Sequence, residues 1–84
     1  MRTVYTSNFK EHFKYWQQNN KKIAEKVLNL IKAVEKDHFV GIGKPEPLAY
    51  DLSGCWSRRI NREHRLVYRI FKDELQLLSC RFHY

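Results

Sequence analysis

The hydrophobic period of this 84-residue chain changes once, and that change constrains its fold more than any other feature. In the first half, apolar residues recur at helical spacing from Phe9 to Trp16 and again from Ile23 to Val34. A loop with two glycines and two prolines, residues 41–50, follows them. Beyond this loop apolar and polar residues alternate, as in antiparallel strands. The chain therefore predicts two helices followed by a β-meander.

The boundaries of the helices are marked by capping residues. A short β-prone segment, Thr3 to Tyr5, comes first. Thr, Ser and Asn at 6–8 then predict that the first helix begins at Asn8, with Glu11 three residues on. The pair Asn19 and Asn20 predicts the break before the second helix.

Turn signals divide the second half into about four strands, which are predicted at Leu48 to Leu52, Trp56 to Ile60, Leu66 to Ile70 and Leu75 to Tyr84. We expect one α+β domain spanning residues 1–84. In it, a short N-terminal strand precedes two helices that pack on one face of a twisted, mainly antiparallel sheet of about five strands. The other face is then open to a ligand.

The charge of the chain narrows the class of partner. It carries 16 Lys and Arg against 9 Asp and Glu, a formal net charge of +7, and 43% of its residues are apolar. A chain with this apolar fraction is expected to fold. A surface with this positive charge attracts nucleic acid or an acidic protein. The N-terminus lacks an apolar export signal, and no apolar run is long enough to span a membrane, so we expect a cytoplasmic protein. Cys55 and Cys80 lack metal-site spacing, and we expect two buried, reduced thiols.

Alternation sorts the strand residues between the two faces of the sheet. Leu66, Tyr68 and Ile70 suit the face under the helices, which leaves Arg65 on the open face. In the last strand, Ser79, Arg81 and His83 share one face. The pattern therefore predicts a basic open face beside the loop that carries Glu46, formed by Arg65, Arg81, His83 and one of Arg58 and Arg59.

Such a set of residues suits the cleavage of RNA by its own 2'-hydroxyl. That reaction needs a base for the hydroxyl, positive charge on the phosphate oxygens and an acid for the leaving 5'-oxygen. Glu46, an arginine and His83 would supply these groups, and the prolines on both sides of Glu46 restrict its backbone.

Each of these residues also has a structural interpretation. Glu46 suits a solvated turn, His83 a strand end, and the lysines of the second helix a solvated surface unless the fold brings them to other basic residues. Trp56 and Phe82 have the pattern of core residues, while Tyr84 suits stacking on an RNA base. The other histidines, His12, His38 and His64, have no ligand spacing and stay unassigned.

Four runs in order, "GKPEPL", "LSGCWSRRIN", "EHRLVYRI" and "CRFHY", resemble the YoeB/Txe branch of the RelE-type toxins of bacterial type II toxin-antitoxin systems. The resemblance covers nearly the whole chain. Ala49 departs from the lysine often found there, and Phe82 from a tyrosine.

The resemblance implies an RNase-like α+β fold and a metal-independent endoribonuclease, with no cofactor, that cuts mRNA in the ribosomal A site and leaves a 2',3'-cyclic phosphate. It implies that Glu46 is the general base, that Arg65 stabilises the phosphate, that His83 is the general acid and that Tyr84 orients the substrate. Arg58 and Arg59 match the basic strand that contacts RNA in the family, and we expect Lys44 and Arg81 to bind RNA with them.

The implied partners are a YefM-like antitoxin, the bacterial 30S A site with its mRNA and, in many members, a second copy of the toxin. Two other functions compete with the nuclease: a non-catalytic binder that occupies RNA or poisons gyrase, and a DNA-binding regulator. The first would not need Glu46, Arg65 and His83 together. The second is disfavoured because no recognition helix is evident.

Overall fold

Five strands and two α-helices make up the part of the chain that the structure describes. In the computed structural model this part is residues 1–82. The elements in chain order are β1 (Arg2–Tyr5), α1 (Ser7–Asn19), α2 (Lys21–Lys36), β2 (Glu46–Pro47), a 3₁₀ turn (Tyr50–Leu52), β3 (Trp56–Arg59), β4 (Arg65–Phe71) and β5 (Glu74–Ser79).

Polar side chains cap both helices at their first turns. The Thr6 hydroxyl accepts a hydrogen bond from the Phe9 amide at 3.2 Å, so α1 begins one residue before the predicted Asn8. The Asn20 side chain accepts from the Ile23 amide at 3.2 Å, which confirms the predicted break between the helices. These bonds satisfy amides that have no partner within the helix.

The strands form one sheet in the order β1-β5-β4-β3-β2. The pairs β2–β3, β3–β4 and β4–β5 are antiparallel, whereas β1 lies parallel to β5. Both helices pack on one face of this sheet. The predicted α+β architecture is therefore confirmed.

The core lies between the helices and that face. It joins Phe9 and Trp16 of α1 to the α2 stripe and to the strands; from the sheet it includes Leu66, Tyr68, Leu75, Leu77 and Cys80, all fully buried. Cys55 and Cys80 are both free and buried, as expected. In residues 1–82 no helix has the length and apolarity needed to cross a bilayer.

Two strand predictions were wrong. Residues 50–52 form a 3₁₀ turn instead of a strand, because Tyr50 has a φ of 57° and the Ala49 carbonyl accepts from the Leu52 amide. The last strand ends at Ser79, after a register shift that pairs Val67 with Ser79 but Tyr68 with Leu77. The shift leaves Leu78 as an extra residue, so Leu77 and Cys80 both reach the core although they differ in parity.

Candidate active site

The sheet register brings Glu46, Arg59 and Arg65 to one face. Glu46 pairs with Ser57 across β2 and β3, and Arg59 pairs with Arg65 across β3 and β4. Cross-strand partners point to the same side of a sheet, as do residues two apart on one strand. Since Leu66 is in the core on the other side, these three side chains lie on the face that the helices leave open. We call it the open face.

The centre of the open face is made of small side chains. Ser57, Val67 and Ser79 form one row across the strands, and all three are buried. Glu46 and Arg59 are exposed, so one carboxylate and one cation border this row. This arrangement places a carboxylate, which can accept a proton, on the same face as a cation, which can bind an anion.

Arg65 is held at the turn between β3 and β4. One nitrogen of its guanidinium, Nη1, donates to the Asn61 carbonyl at 3.0 Å and to the His64 carbonyl at 3.3 Å. These bonds restrict the long side chain and so reduce the entropy lost when it binds an anion.

Arg58 is buried, and the prediction that it contacts RNA was wrong. It is 0% exposed and lies on the helix side of β3. Its Nε donates to the Tyr68 hydroxyl at 3.2 Å, and its two terminal nitrogens donate to the carbonyls of Asp37, Val40 and Ile42. Arg58 therefore fixes the loop that leads to Glu46, because a guanidinium has enough donors to bind several carbonyls at once.

Helix α1 holds the chain after β5. The Cys80 amide donates to His12 Nδ1 at 3.2 Å, and Trp16 Nε1 donates to the Cys80 carbonyl at 2.8 Å. The Arg81 guanidinium lies 3.4 Å from the centre of the Tyr15 ring, a cation–π contact. Arg81 thus contacts α1, and its predicted place beside Arg65 on the open face was wrong because the strand ends at Ser79.

The turn between β3 and β4 holds the next residue. The Phe82 amide donates to His64 Nδ1 at 2.8 Å, and the Phe82 carbonyl accepts from the Arg65 amide at 3.0 Å. The chain immediately before His83 is therefore bonded to the backbone of Arg65. The predicted acid His83 and the predicted stacking residue Tyr84 lie outside the described residues.

Three further residues can be compared with the sequence predictions. Lys44 is exposed and follows Gly43, whose carbonyl accepts from the Arg59 amide at 2.6 Å, so the structure brings Lys44 to Arg59. Phe82 is 55% exposed with its ring against His12 and His64, so its prediction as a core residue was wrong. Trp56, by contrast, packs against the core as predicted.

Sequence reasoning missed the histidines that hold the C-terminal segment. His12 and His64 each accept a backbone N–H through Nδ1, which requires the neutral ring with its proton on Nε2. Burial and then the nearby Arg81 lower the pKa of His12, which favours this neutral form. Their spacing carries no signal, because their partners are backbone atoms distant in sequence.

Comparison with known proteins identifies the family of the chain. Residues 5–84 match the family described as the YoeB-like toxin of bacterial type II toxin-antitoxin systems. The chain belongs to the YoeB toxin family. It is thus a toxin of a type II toxin-antitoxin system, as the four sequence runs predicted.

Several YoeB relatives cover the whole chain. Toxin YoeB of Synechocystis is 52% identical over 84 residues, which are 100% of this chain and 98% of that protein. The YoeB/ParE toxin from Agrobacterium tumefaciens has a TM-score of 0.96 at 42% identity, with 100% of both chains covered. YoeB from Staphylococcus aureus has been solved as a dimer (TM-score 0.91, 41% identity) and in a YoeB–YefM complex (0.88, 42%), each with 100% of this chain and 98% of that chain covered.

Proposed function

We propose that this protein is a ribosome-dependent endoribonuclease that cleaves mRNA in the ribosomal A site and so inhibits translation in the cytoplasm. The observation that carries the proposal is the register of the open face. It gathers a carboxylate, Glu46, and two arginines, Arg59 and Arg65, while the Phe82 carbonyl ties the chain before His83 to Arg65. A base, a phosphate clamp and an acid are the groups that the reaction needs.

In the proposed mechanism, Glu46 takes the proton of the 2'-hydroxyl of the nucleotide before the cut. The 2'-oxygen then attacks the adjacent phosphorus, and Arg65 stabilises the negative charge that grows on the non-bridging oxygens. His83 gives a proton to the departing 5'-oxygen, and Tyr84 orients the nucleotide. The products are a 2',3'-cyclic phosphate on one fragment and a 5'-hydroxyl on the other, so protons and bonds balance.

The geometry also supports a need for the ribosome. In-line attack requires the 2'-oxygen, the phosphorus and the leaving oxygen to align, and holding them in that alignment can supply a large part of the rate gain. The centre of the open face is Ser57, Val67 and Ser79, whose small, buried side chains offer little contact to a flexible RNA. We expect the ribosome to supply the bent substrate, and free RNA to be cut slowly.

We propose a YefM-like antitoxin as the partner and a homodimer as the free state, on the basis of the Staphylococcus aureus relatives. An acidic, disordered segment is attracted electrostatically to a chain with a net charge of +7. Such a segment would inactivate the toxin by displacing the chain after Cys80, because that short segment carries both His83 and Tyr84.

The test is primer extension on mRNA in a programmed bacterial ribosome, with the wild type, His83→Gln and a reaction without ribosomes. An A-site cut that needs the ribosome and is lost in the variant is the expected result. If the wild type leaves mRNA intact, or His83→Gln inhibits translation normally, the non-catalytic binder becomes the better account.

A further inference from the structure

A basic cavity lies beside the open face, between α2 and β3. Its volume is about 390 Å³, and the residues that line it include Lys26, Gly43, Lys44, Arg59, Asn61 and Arg62. Four of these carry positive charge, and none of the described residues lining the cavity is acidic. A concave site lined by one sign of charge concentrates ions of the opposite sign.

The cavity brings together residues that are distant in sequence. Lys26 belongs to α2, and Lys44 to the loop before β2, whereas Arg59 and Arg62 come from the end of β3 and the turn after it. The sequence pattern predicts that the lysines of α2 form a solvated surface. The fold instead places Lys26 with three other cations. A lysine that served only to keep the helix surface solvated would not need to lie beside these cations.

The backbone of the cavity wall is closely packed and hydrogen-bonded at Gly43. Its φ is 85°, and a Cβ atom there would lie 2.9 Å from Leu30 Cδ2 and 3.0 Å from Arg58 Cβ. Its carbonyl accepts from the Arg59 amide at 2.6 Å. Because the backbone of Lys44 continues from this fixed point, little entropy is lost in ordering the wall around a ligand.

Asn61 connects the cavity to the candidate active site. It lines the cavity, and its carbonyl accepts from Arg65 Nη1 at 3.0 Å. Its side-chain oxygen accepts from the amides of Glu63 and His64, which fixes the turn. Arg59, which also lines the cavity, is the direct cross-strand neighbour of Arg65.

We infer that this cavity binds a phosphate of RNA that flanks the phosphate attacked at the open face. A strand whose reacting phosphate lies at Arg65 reaches the cavity by crossing Arg59. Lys26 and Arg62 would then contact a second phosphate and hold the strand in place. The inference adds a second RNA contact to the proposed function and rests on it for the identity of the ligand as RNA.

The test measures RNA binding without cleavage. A single-stranded 2'-O-methyl RNA has no free 2'-hydroxyl and stays intact, so its Kd can be measured over a range of salt concentrations. We expect Lys26→Gln and Arg62→Gln each to reduce the slope of log Kd against log salt by about 0.7, the value for one lost phosphate contact with a single strand. Lys32→Gln removes the same charge from an exposed position on α2 outside the cavity and should leave the slope unchanged.

A second arm identifies which RNA supplies the phosphate. Binding of the same variants to ribosomes without mRNA reports ribosomal RNA, whereas the oligonucleotide reports a free single strand. A loss confined to the Lys26 and Arg62 variants in the oligonucleotide arm supports the inference, whereas a loss seen only with ribosomes would assign the cavity to ribosomal RNA and contradict it. If both variants match Lys32→Gln in both arms, the inference is wrong. Neither arm needs cleavage, so failure of the proposed nuclease would appear separately, in the primer-extension assay.

Discussion

Arg59 and Arg65 lie directly opposite each other on β3 and β4, on the face of the sheet that the helices leave open. Like charges in this position destabilise a strand pair. An anion bound between them would reduce the repulsion, so the pair favours a bound anion at this point. Its neighbour Arg58, one residue earlier, points to the other face and is fully buried. Two adjacent arginines therefore have different roles.

Substitution of the two arginines should separate these roles. Arg58→Ala removes the donors for three loop carbonyls and for the Tyr68 hydroxyl, so we expect the free energy of unfolding to fall by about 2–4 kcal/mol. Arg59→Ala should change stability by less than about 0.5 kcal/mol while it weakens RNA binding. Urea unfolding of both variants measures this, and equal stabilities would contradict the assignment.

Loss of the Glu46 carboxylate should affect the chemical step and leave the fold intact. Glu46 is exposed at the end of a two-residue strand, so Glu46→Gln removes little packing. Cleavage on saturating programmed ribosomes should slow by about 100-fold or more, the usual effect of losing a general base. Asp51→Asn, which neutralises an exposed carboxylate in the nearby 3₁₀ turn, serves as the control. Equal rates in the two variants would remove Glu46 from the mechanism.

His12 should make stability depend on pH. Burial and then Arg81 lower its pKa below the ordinary value of 6.5, although Glu11 opposes them. The folded state therefore binds this proton less readily than the unfolded state. Its contribution to stability is complete above about pH 6.5 and is lost as the pH falls below that value towards the folded pKa.

The variant His12→Asn provides the comparison, since an amide oxygen can accept from the Cys80 amide but does not titrate. The difference in unfolding free energy between the wild type and this variant should change between pH 7.5 and pH 5, with the wild type losing more. A constant difference over this range would contradict the role of His12.

The Cys80 thiol should be unreactive in the folded protein. Burial raises its pKa to about 12, so almost none is thiolate at pH 8. In Cys55→Ala, where Cys80 is the remaining cysteine, labelling by a thiol reagent at pH 8 should be at least about 100-fold slower than labelling of free cysteine. Rapid labelling without denaturant would show that the segment after β5 opens readily.

Most of the fold could be predicted from patterns within short stretches of the sequence. Alternation placed Leu66 and Tyr68 in the core and Arg65 opposite them, because strand side chains point alternately to the two faces. The cap at Asn20 was readable because its side chain bonds an amide only three residues on. Predictions of this kind depend on neighbours along the chain.

The rest depends on contacts between distant segments. The alternating pattern continues to the end of the sequence although β5 ends at Ser79, so Arg81 was assigned to the open face while it contacts Tyr15 of α1. The burial of Arg58 follows from carbonyls that only the folded loop brings together. Lys26 resembles any other surface lysine until α2 packs beside β3.

The most direct test of the central claim uses a programmed ribosome whose mRNA carries one 2'-deoxynucleotide on the 5' side of the bond that is cut. If the open face activates the 2'-hydroxyl, this mRNA should stay intact, while unmodified mRNA should yield a 2',3'-cyclic phosphate and a 5'-hydroxyl. Cleavage of the deoxy-substituted mRNA at the normal rate would contradict attack by the 2'-hydroxyl and, with it, the assigned role of Glu46.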